Sequence, residues 1–176
     1  YLLTRHFIRQ NKSILIVVPS THLVEQMSSD FNEYNPSYNI EDKIHKTYDG
    51  AKKYTDKPIV ISTWQSILNQ PKEFFNLYDA IIVDEAHNYK GEEVRKVLEK
   101  ADNVKYRVGL TGTLDEVDLH RLTIEGLFGK SFQVTTYDEM MALGRSSQLK
   151  INSIVFEYSP IDRDTFKQKM KDFLKS

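Results

Sequence analysis

The stretch Tyr78-Asp79-Ala80-Ile81-Ile82-Val83-Asp84-Glu85-Ala86-His87 decides how this chain is read. Its apolar part is continuous and rich in β-branched residues, the pattern of a strand buried on both faces of a parallel sheet. It stops at two adjacent carboxylates, a small residue and a histidine. Open α/β sheets bind their ligands at the carboxyl ends of such strands. An acid pair there has two readings. One is an ordinary helix start, where Asp and Glu suit the helix dipole. The other is a nucleoside-triphosphate site, in which the first acid holds Mg²⁺ and the second orients the attacking water.

On both sides of this stretch, strand and helix patterns alternate. Residues 1–10 (YLLTRHFIRQ) suit a short amphipathic helix. Residues 13–18 (SILIVV) read as a buried strand ended by Pro19. Ser20 or Thr21 can cap a helix burying Leu23, Val24, Met27 and Phe31. Residues 43–48 suggest a short strand before the Asp49-Gly50 turn signal, and 59–62 another after Pro58. A short helix at 64–69 and a polar connection precede the strand ending at Asp84. Residues 92–101 then carry Val94, Val97, Leu98 and Ala101 at helical spacing, with Glu92 and Lys96 as a favourable pair. Further strands are expected at 106–110, 131–136 and, half-exposed, 149–158. Helices are expected at 118–127 and from Ser159-Pro160 onward. This alternation is the signature of βαβ units and a parallel sheet, an α/β fold.

Bulk composition narrows the classes. The 176 residues suit one domain, and 40% hydrophobic content supports a core and excludes disorder. There is no cysteine, which removes disulfides, thiolate zinc sites and cysteine nucleophiles and fits a reducing interior. No apolar run approaches the roughly 20 residues of a membrane span, and no signal peptide opens the chain. Lys+Arg number 24 against 25 Asp+Glu, so any nucleic-acid contact must be local or shared with parts outside these residues. The five histidines lack metal-ligand spacing, and no G-x-S-x-G occurs.

Small hydroxyl residues recur after the strands: Pro19-Ser20-Thr21, Ser62-Thr63 and Thr111-Gly112-Thr113. Each alone reads as an N-cap or turn. Together with the acid pair they would line one sheet edge, and hydroxyls and amides at helix starts are ready phosphate contacts. Val17-Val18-Pro19-Ser20-Thr21, Ser62-Thr63-Trp64-Gln65, Asp84-Glu85-Ala86-His87 and Thr111-Gly112-Thr113 resemble, in order and spacing, motifs Ia, Ic, II and III of superfamily 2 DEAH/DExH helicases. The resemblance covers about residues 1–145, the first RecA-like domain. Ser62-Thr63-Trp64-Gln65-Ser66, Gln70-Pro71-Lys72-Glu73 and Leu149-Lys150-Ile151-Asn152-Ser153-Ile154 further resemble phage UvsW-type recombination helicases.

The resemblance implies roles. Asp84 holds Mg²⁺ through water and Glu85 polarises the attacking water. His87, Thr111 and Thr113 couple the nucleotide site to domain motion. Pro19, Ser20, Thr21, Ser62 and Thr63 touch the sugar-phosphate backbone of one strand, a salt-sensitive and sequence-independent contact. Trp64 suits either base stacking or the core, and its place after a buried strand favours the core. ATP and Mg²⁺ are the implied cofactors. DNA is the implied partner, with RNA second, together with a second RecA-like domain of the same chain and no membrane. The implied location is cytoplasmic, in a bacterial host if the gene is a phage's.

The pattern also departs from the family. The phosphate-binding loop G-x-x-x-x-G-K-[ST], or Walker A, is missing from these residues. Gly126 to Ser131 reads G-x-x-G-K-S, two residues short, and leads toward an expected strand where a P-loop needs a helix. Residues 1–10 resemble the helix that follows the loop, so the expectation is a fragment beginning just after it. Thr111-Gly112-Thr113 stands for the commoner Ser-Ala-Thr. Residues 1–147 are expected to form a partial RecA-like domain, and 148–176 a connector strand and helix leading toward the second. The lysine-rich face of that helix reads as solvated. The expected function is coupling ATP hydrolysis to strand unwinding or branch remodelling, with negligible ATPase from these residues alone. The alternatives are a degenerate RecA-like binding module and the motor domain of a nuclease or repair enzyme.

Overall fold

The computed structural model describes residues 1–34, 40–48, 54–88, 92–112, 118–146 and 160–173. The elements run α1 (Leu2–Arg9), β1 (Ile14–Val18), α2 (Thr21–Tyr34), β2 (Ile44–Thr47), β3 (Ile59–Thr63), α3 (Trp64–Ile67), α4 (Lys72–Phe75), β4 (Ala80–Val83), α5 (Glu92–Lys100), β5 (Tyr106–Gly109), α6 (Asp118–Phe128), α7 (Tyr137–Ala142) and α8 (Pro160–Phe173). They divide into two units, Tyr1–Phe132 and Gln133–Ser176.

In the first unit the strands form one parallel sheet in the order β2-β3-β1-β4-β5. Side chains alternate between its faces, as strand geometry requires. Leu15, Val17, Val60, Ile81 and Val83 face one core layer with Ile67, Phe74, Phe75, Val97 and Leu98 from α3, α4 and α5. Ile14, Ile16, Val18, Ile59, Ile61, Ala80 and Ile82 face the other with Phe7, Val24 and Phe31 from α1 and α2. The continuous apolar runs of β1, β3 and β4 follow from this double burial, at about 1.5–3 kcal/mol for each large side chain removed from water. The arrangement is the three-layer α/β/α sandwich of a RecA-like domain.

The polar connection expected after residue 69 contains α4, and its Phe74 and Phe75 are fully buried. Phe74 packs edge-on against Phe75, Tyr54 and Tyr78. Burial among these rings pushes the Tyr78 phenol well above its ordinary value.

The expected strand over 131–136 is corrected: these residues run as irregular chain. Phe132 and Val134 are 77% and 94% exposed. Alternating side chains do not make a strand without a neighbour to take the backbone N–H and C=O groups. The end of the segment obeys a different local rule. Thr136 caps α7, with Glu139 N–H donating to Thr136 Oγ1 at 3.2 Å and Thr136 N–H to Glu139 Oε2 at 2.8 Å. This capping box starts a helix where alternation suggested a strand, and the Thr136 amide holds the Glu139 carboxyl below its usual range. The expected strand over 149–158 lies outside the described residues. In α8, side chains 163–173 are exposed, which fits a solvated lysine-rich face. Among the described residues no helix is long and apolar enough to cross a membrane.

An exposed tie joins α2 to β2. Lys46 Nζ donates to Glu25 Oε2 at 2.7 Å, and the Tyr48 hydroxyl donates to Glu25 Oε1. The Lys46 ammonium, then the Tyr48 hydroxyl, hold the Glu25 carboxyl below its ordinary range. A depressed carboxylate contributes stability above its unfolded pKa of roughly 4.3 and loses it as pH falls through the lower folded value. Glu25→Gln is therefore expected to lower the thermal midpoint by about 2 °C at pH 7, in keeping with an exposed ion pair. Melting curves from pH 7 to pH 3 should show that gap closing at the acid end. A gap independent of pH removes the carboxylate as its cause.

Candidate nucleotide and nucleic-acid site

Because every strand runs the same way, the carboxyl ends share one edge. The ladder pairs Thr47 with Ser62, Ser62 with Val17, Val17 with Val83, and Val83 with Gly109. Each described site residue sits at or just past this row: Pro19, Ser20 and Thr21 after β1, Ser62 and Thr63 ending β3, Asp84, Glu85 and His87 after β4, and Thr111 after β5. Thr113 lies outside the described residues.

The backbone at the acid pair is held from both sides. Asp84 N–H donates to Val17 O at 2.9 Å, Leu110 N–H to Val83 O at 2.8 Å, and Ala86 N–H to Leu110 O at 2.8 Å. Between the fixed amides of Asp84 and Ala86, Glu85 takes φ +50°. That left-handed conformation is uncommon for a residue with a Cβ. It persists where surroundings over-determine it, and such residues cluster at functional sites.

His87 Nδ1 lies 2.7 Å from Thr111 Oγ1 and 3.3 Å from Glu85 Oε2. The threonine hydroxyl can donate to or accept from Nδ1, whereas the Glu85 carboxylate can only accept from it. The imidazole thus ties the second acid to the segment following β5. Local sequence does this with one 3₁₀ turn, Ala86–Asn88, which brings His87 back toward the strand ends.

Asp84 is half-buried and lines a mostly apolar cleft of about 710 Å³ that it shares with Thr4 and Arg5 of α1, Met27 and Phe31 of α2, and Leu110. Among the described residues no three His, Asp or Glu side chains are placed to cage a metal. One carboxylate beside an open cleft fits Mg²⁺, which keeps most of its waters and binds through one or two carboxylates plus substrate phosphates. The same donor set does not fit structural zinc.

The hydroxyls along the edge differ in what they offer. Ser20 and Thr21 are exposed. Ser20 is the N-cap residue of α2, with Leu23 N–H donating to its Oγ at 3.4 Å and Val24 N–H to its carbonyl at 3.2 Å. Ser62 is fully buried and donates to Thr47 O at 2.9 Å. Thr63 is 4% exposed and donates to Ser66 Oγ at 3.0 Å. The β1 loop therefore presents its hydroxyls to solvent, and the β3 loop uses its own to brace the start of α3. Trp64 is half-buried against the α3–α5 core layer, in line with the core reading.

The decoy at Gly129-Lys130-Ser131 sits at the wrong end of a helix for a phosphate loop. Gly129, at φ +90°, follows α6 and donates its N–H to Glu125 O at 2.8 Å, the geometry of a helix C-terminus. Gly109 was missed in the sequence. A Cβ there would stand 3.0 Å from Phe128 Cδ2 and 3.1 Å from Ala86 Cβ. Its signal was a glycine closing an otherwise bulky strand beside the site.

Comparison with known proteins agrees with this geometry. The family model described as type III restriction enzyme, res subunit, matches residues 1–116. The ATP-dependent DNA helicase uvsW of Enterobacteria phage T4 is 34% identical over 173 residues, which is 97% of this chain and 34% of that protein. The chain thus spans about a third of that relative's length. The crystal structure of the UvsW helicase from bacteriophage T4 superposes with TM-score 0.62 and 32% identity, covering 73% of this chain and 46% of that one. The Sulfolobus solfataricus SWI2/SNF2 ATPase core, solved in complex with double-stranded DNA, shares the fold at TM-score 0.56 and 19% identity, covering 72% of this chain and 27% of that one. With two-thirds of its length matched by one model and the helicase motifs on one edge of a RecA-like sheet, the chain belongs to the type III restriction enzyme, res subunit family and is a superfamily 2 helicase domain resembling UvsW.

Proposed function

We propose that these residues are part of the first motor domain of an ATP-dependent DNA helicase or translocase, with residues 1–147 in that domain and 148–176 leading toward a second RecA-like domain. The observation that carries the reading is the contact of His87 Nδ1 with both Thr111 Oγ1 and Glu85 Oε2 at the end of β4, on the sheet edge that also presents Ser20 and Thr21. Asp84 would hold Mg²⁺ through water, and the ion would supply charge neutralisation at the phosphoryl group. Glu85 orients the attacking water and accepts its proton. His87 holds the Glu85 carboxylate and registers, through Thr111, where the β5 end stands. Thr113 belongs to the same coupling element. Pro19, Ser20 and Thr21 contact the sugar-phosphate backbone, with Thr63 and Ser62 supporting the neighbouring loop. DNA is favoured over RNA by the 34% identity to a DNA helicase, and a phage protein of this kind works in the bacterial cytoplasm.

The test is ATP hydrolysis by the full-length protein with and without single-stranded DNA, beside residues 1–176 alone. Stimulation by DNA is expected in the former and negligible turnover in the latter, which lacks the phosphate cradle. Thr21→Ala is expected to weaken DNA binding about three- to tenfold, the range of one lost hydrogen bond. A full-length protein whose ATPase ignores DNA, or turnover by residues 1–176 that Glu85→Gln abolishes, overturns the reading.

A further inference from the structure

Helix α5 lies on the sheet face that carries Leu15, Val17 and Ile81, and buries Val97 and Leu98 there beside Ile67 of α3. Its last residue, Lys100, is half-buried. Lys100 Nζ donates to Leu68 O at 2.7 Å and to Gln70 O at 3.0 Å. Leu68 is the C-cap residue of α3, and Gln70 N–H turns back to Ile67 O at 3.0 Å. The ammonium therefore closes the carboxyl end of the short helix that opens at Thr63. Unsatisfied carbonyls at a helix end attract a cation. A four-residue helix has no cooperative stability of its own, so its placement depends on such anchors.

The very next residue is held by a strand of the sheet. Ala101 O accepts from Arg107 Nη2 of β5 at 2.8 Å. The strand that carries Arg107 continues to Leu110, whose carbonyl holds Ala86, and to Thr111, whose hydroxyl meets His87. Consecutive residues 100 and 101 thus join the end of the β3–α3 segment to the strand that leads into the acid site. Lys72, by contrast, makes an exposed pair with Asp102 at 2.7 Å, the sort of surface contact that contributes little.

We propose that Lys100 is a positioning residue that passes movement of α3, when a nucleic-acid strand engages the neighbouring sheet edge, to the Thr111–His87–Glu85 cluster through Ala101 and Arg107. The proposal rests on the motor reading above. A displacement of α3 carries its two carbonyls, and with them the Lys100 ammonium and the end of α5. The Ala101 carbonyl then moves against Arg107, and β5 responds. A chain of packed elements and polar contacts of this kind is the physical form that coupling takes, and it must be demonstrated as a coupling energy.

The experiment compares full-length wild type, Lys100→Met and Lys100→Arg. Methionine keeps an unbranched stem of similar length and removes the donors; arginine restores them. Basal ATPase, ATPase saturated with an oligo(dT) single strand, and thermal midpoint are measured for each. Lys100→Met is expected to keep the basal rate, with a midpoint lowered by a few degrees for the two lost hydrogen bonds, while stimulation by DNA falls about five- to tenfold, and Lys100→Arg is expected to recover most of it. Undiminished stimulation in Lys100→Met overturns the proposal. So does an equal proportional fall in basal and stimulated rates, which marks a structural role only, or a lack of rescue by arginine. If Lys100→Met does not fold, Arg107→Met, which removes the other half of the connection, decides: retained stimulation there overturns the proposal, and its loss with the basal rate intact supports it. A wild-type protein that DNA does not stimulate removes the motor reading itself, which separates the two failures.

Discussion

Glu85→Gln in the full-length protein is expected to lower kcat for ATP hydrolysis by about 10²–10⁴, the range for loss of a positioned general base. The amide keeps the shape and the contact distance to His87 but no longer attracts a proton from water. Nucleotide binding should persist, because uniform binding contacts lie elsewhere and only the transition state loses an interaction. Steady-state ATPase with saturating single-stranded DNA, beside a nucleotide-binding measurement, checks both halves. The backbone adds weight to this choice of residue. Glu85 holds φ +50° between two amides fixed at 2.9 and 2.8 Å to neighbouring strands, so its side chain is aimed by the sheet and not by a mobile loop. Retention of more than about a tenth of wild-type kcat would place the base elsewhere.

Phe74→Ala is expected to cost about 3–5 kcal/mol of stability, the cost of removing a buried aromatic ring and leaving a cavity. Phe74 is fully buried, and three aromatic rings surround it at centroid distances of 5.2–5.7 Å. They cannot all collapse into the space, so both the transfer and the cavity contributions should appear. Phe166→Ala, 65% exposed on α8, serves as the contrast and should change stability by less than about 0.5 kcal/mol. Urea unfolding of both variants checks the difference. Similar midpoints for the two would mean that α4 does not belong to the cooperative core.

The two expectations rest on residues that the sequence showed with different clarity. Glu85 stood out because a β-branched run ended in acids, and burial on both faces leaves no other composition for a central parallel strand. Phe74 did not stand out. It lies in Lys72-Glu73-Phe74-Phe75, a four-residue helix too short to show a period, and only its packing on the sheet makes it core.

Local chemistry and chain period were legible in the residues alone. Ile14–Val18, Ile59–Thr63 and Ala80–Val83 had to be buried strands, the spacing of Val97, Leu98 and Ala101 had to be a helix face, and acids and hydroxyls had to follow strand ends. Side-chain chemistry and chain period set these without reference to distant residues. Tertiary structure alone decided which strands are neighbours. The order β2-β3-β1-β4-β5 puts β1 between the strands that end in Thr63 and Val83, and so gathers the β1 loop hydroxyls and the acids on one edge. It also set His87 against Thr111, turned Ser62 inward to Thr47, and set Lys100 on the end of α3. It left residues 131–136 without a strand to pair with. Each of these is a contact between residues far apart in sequence or the lack of one, and a hydrogen bond is specified by where its partner stands, which no local pattern encodes.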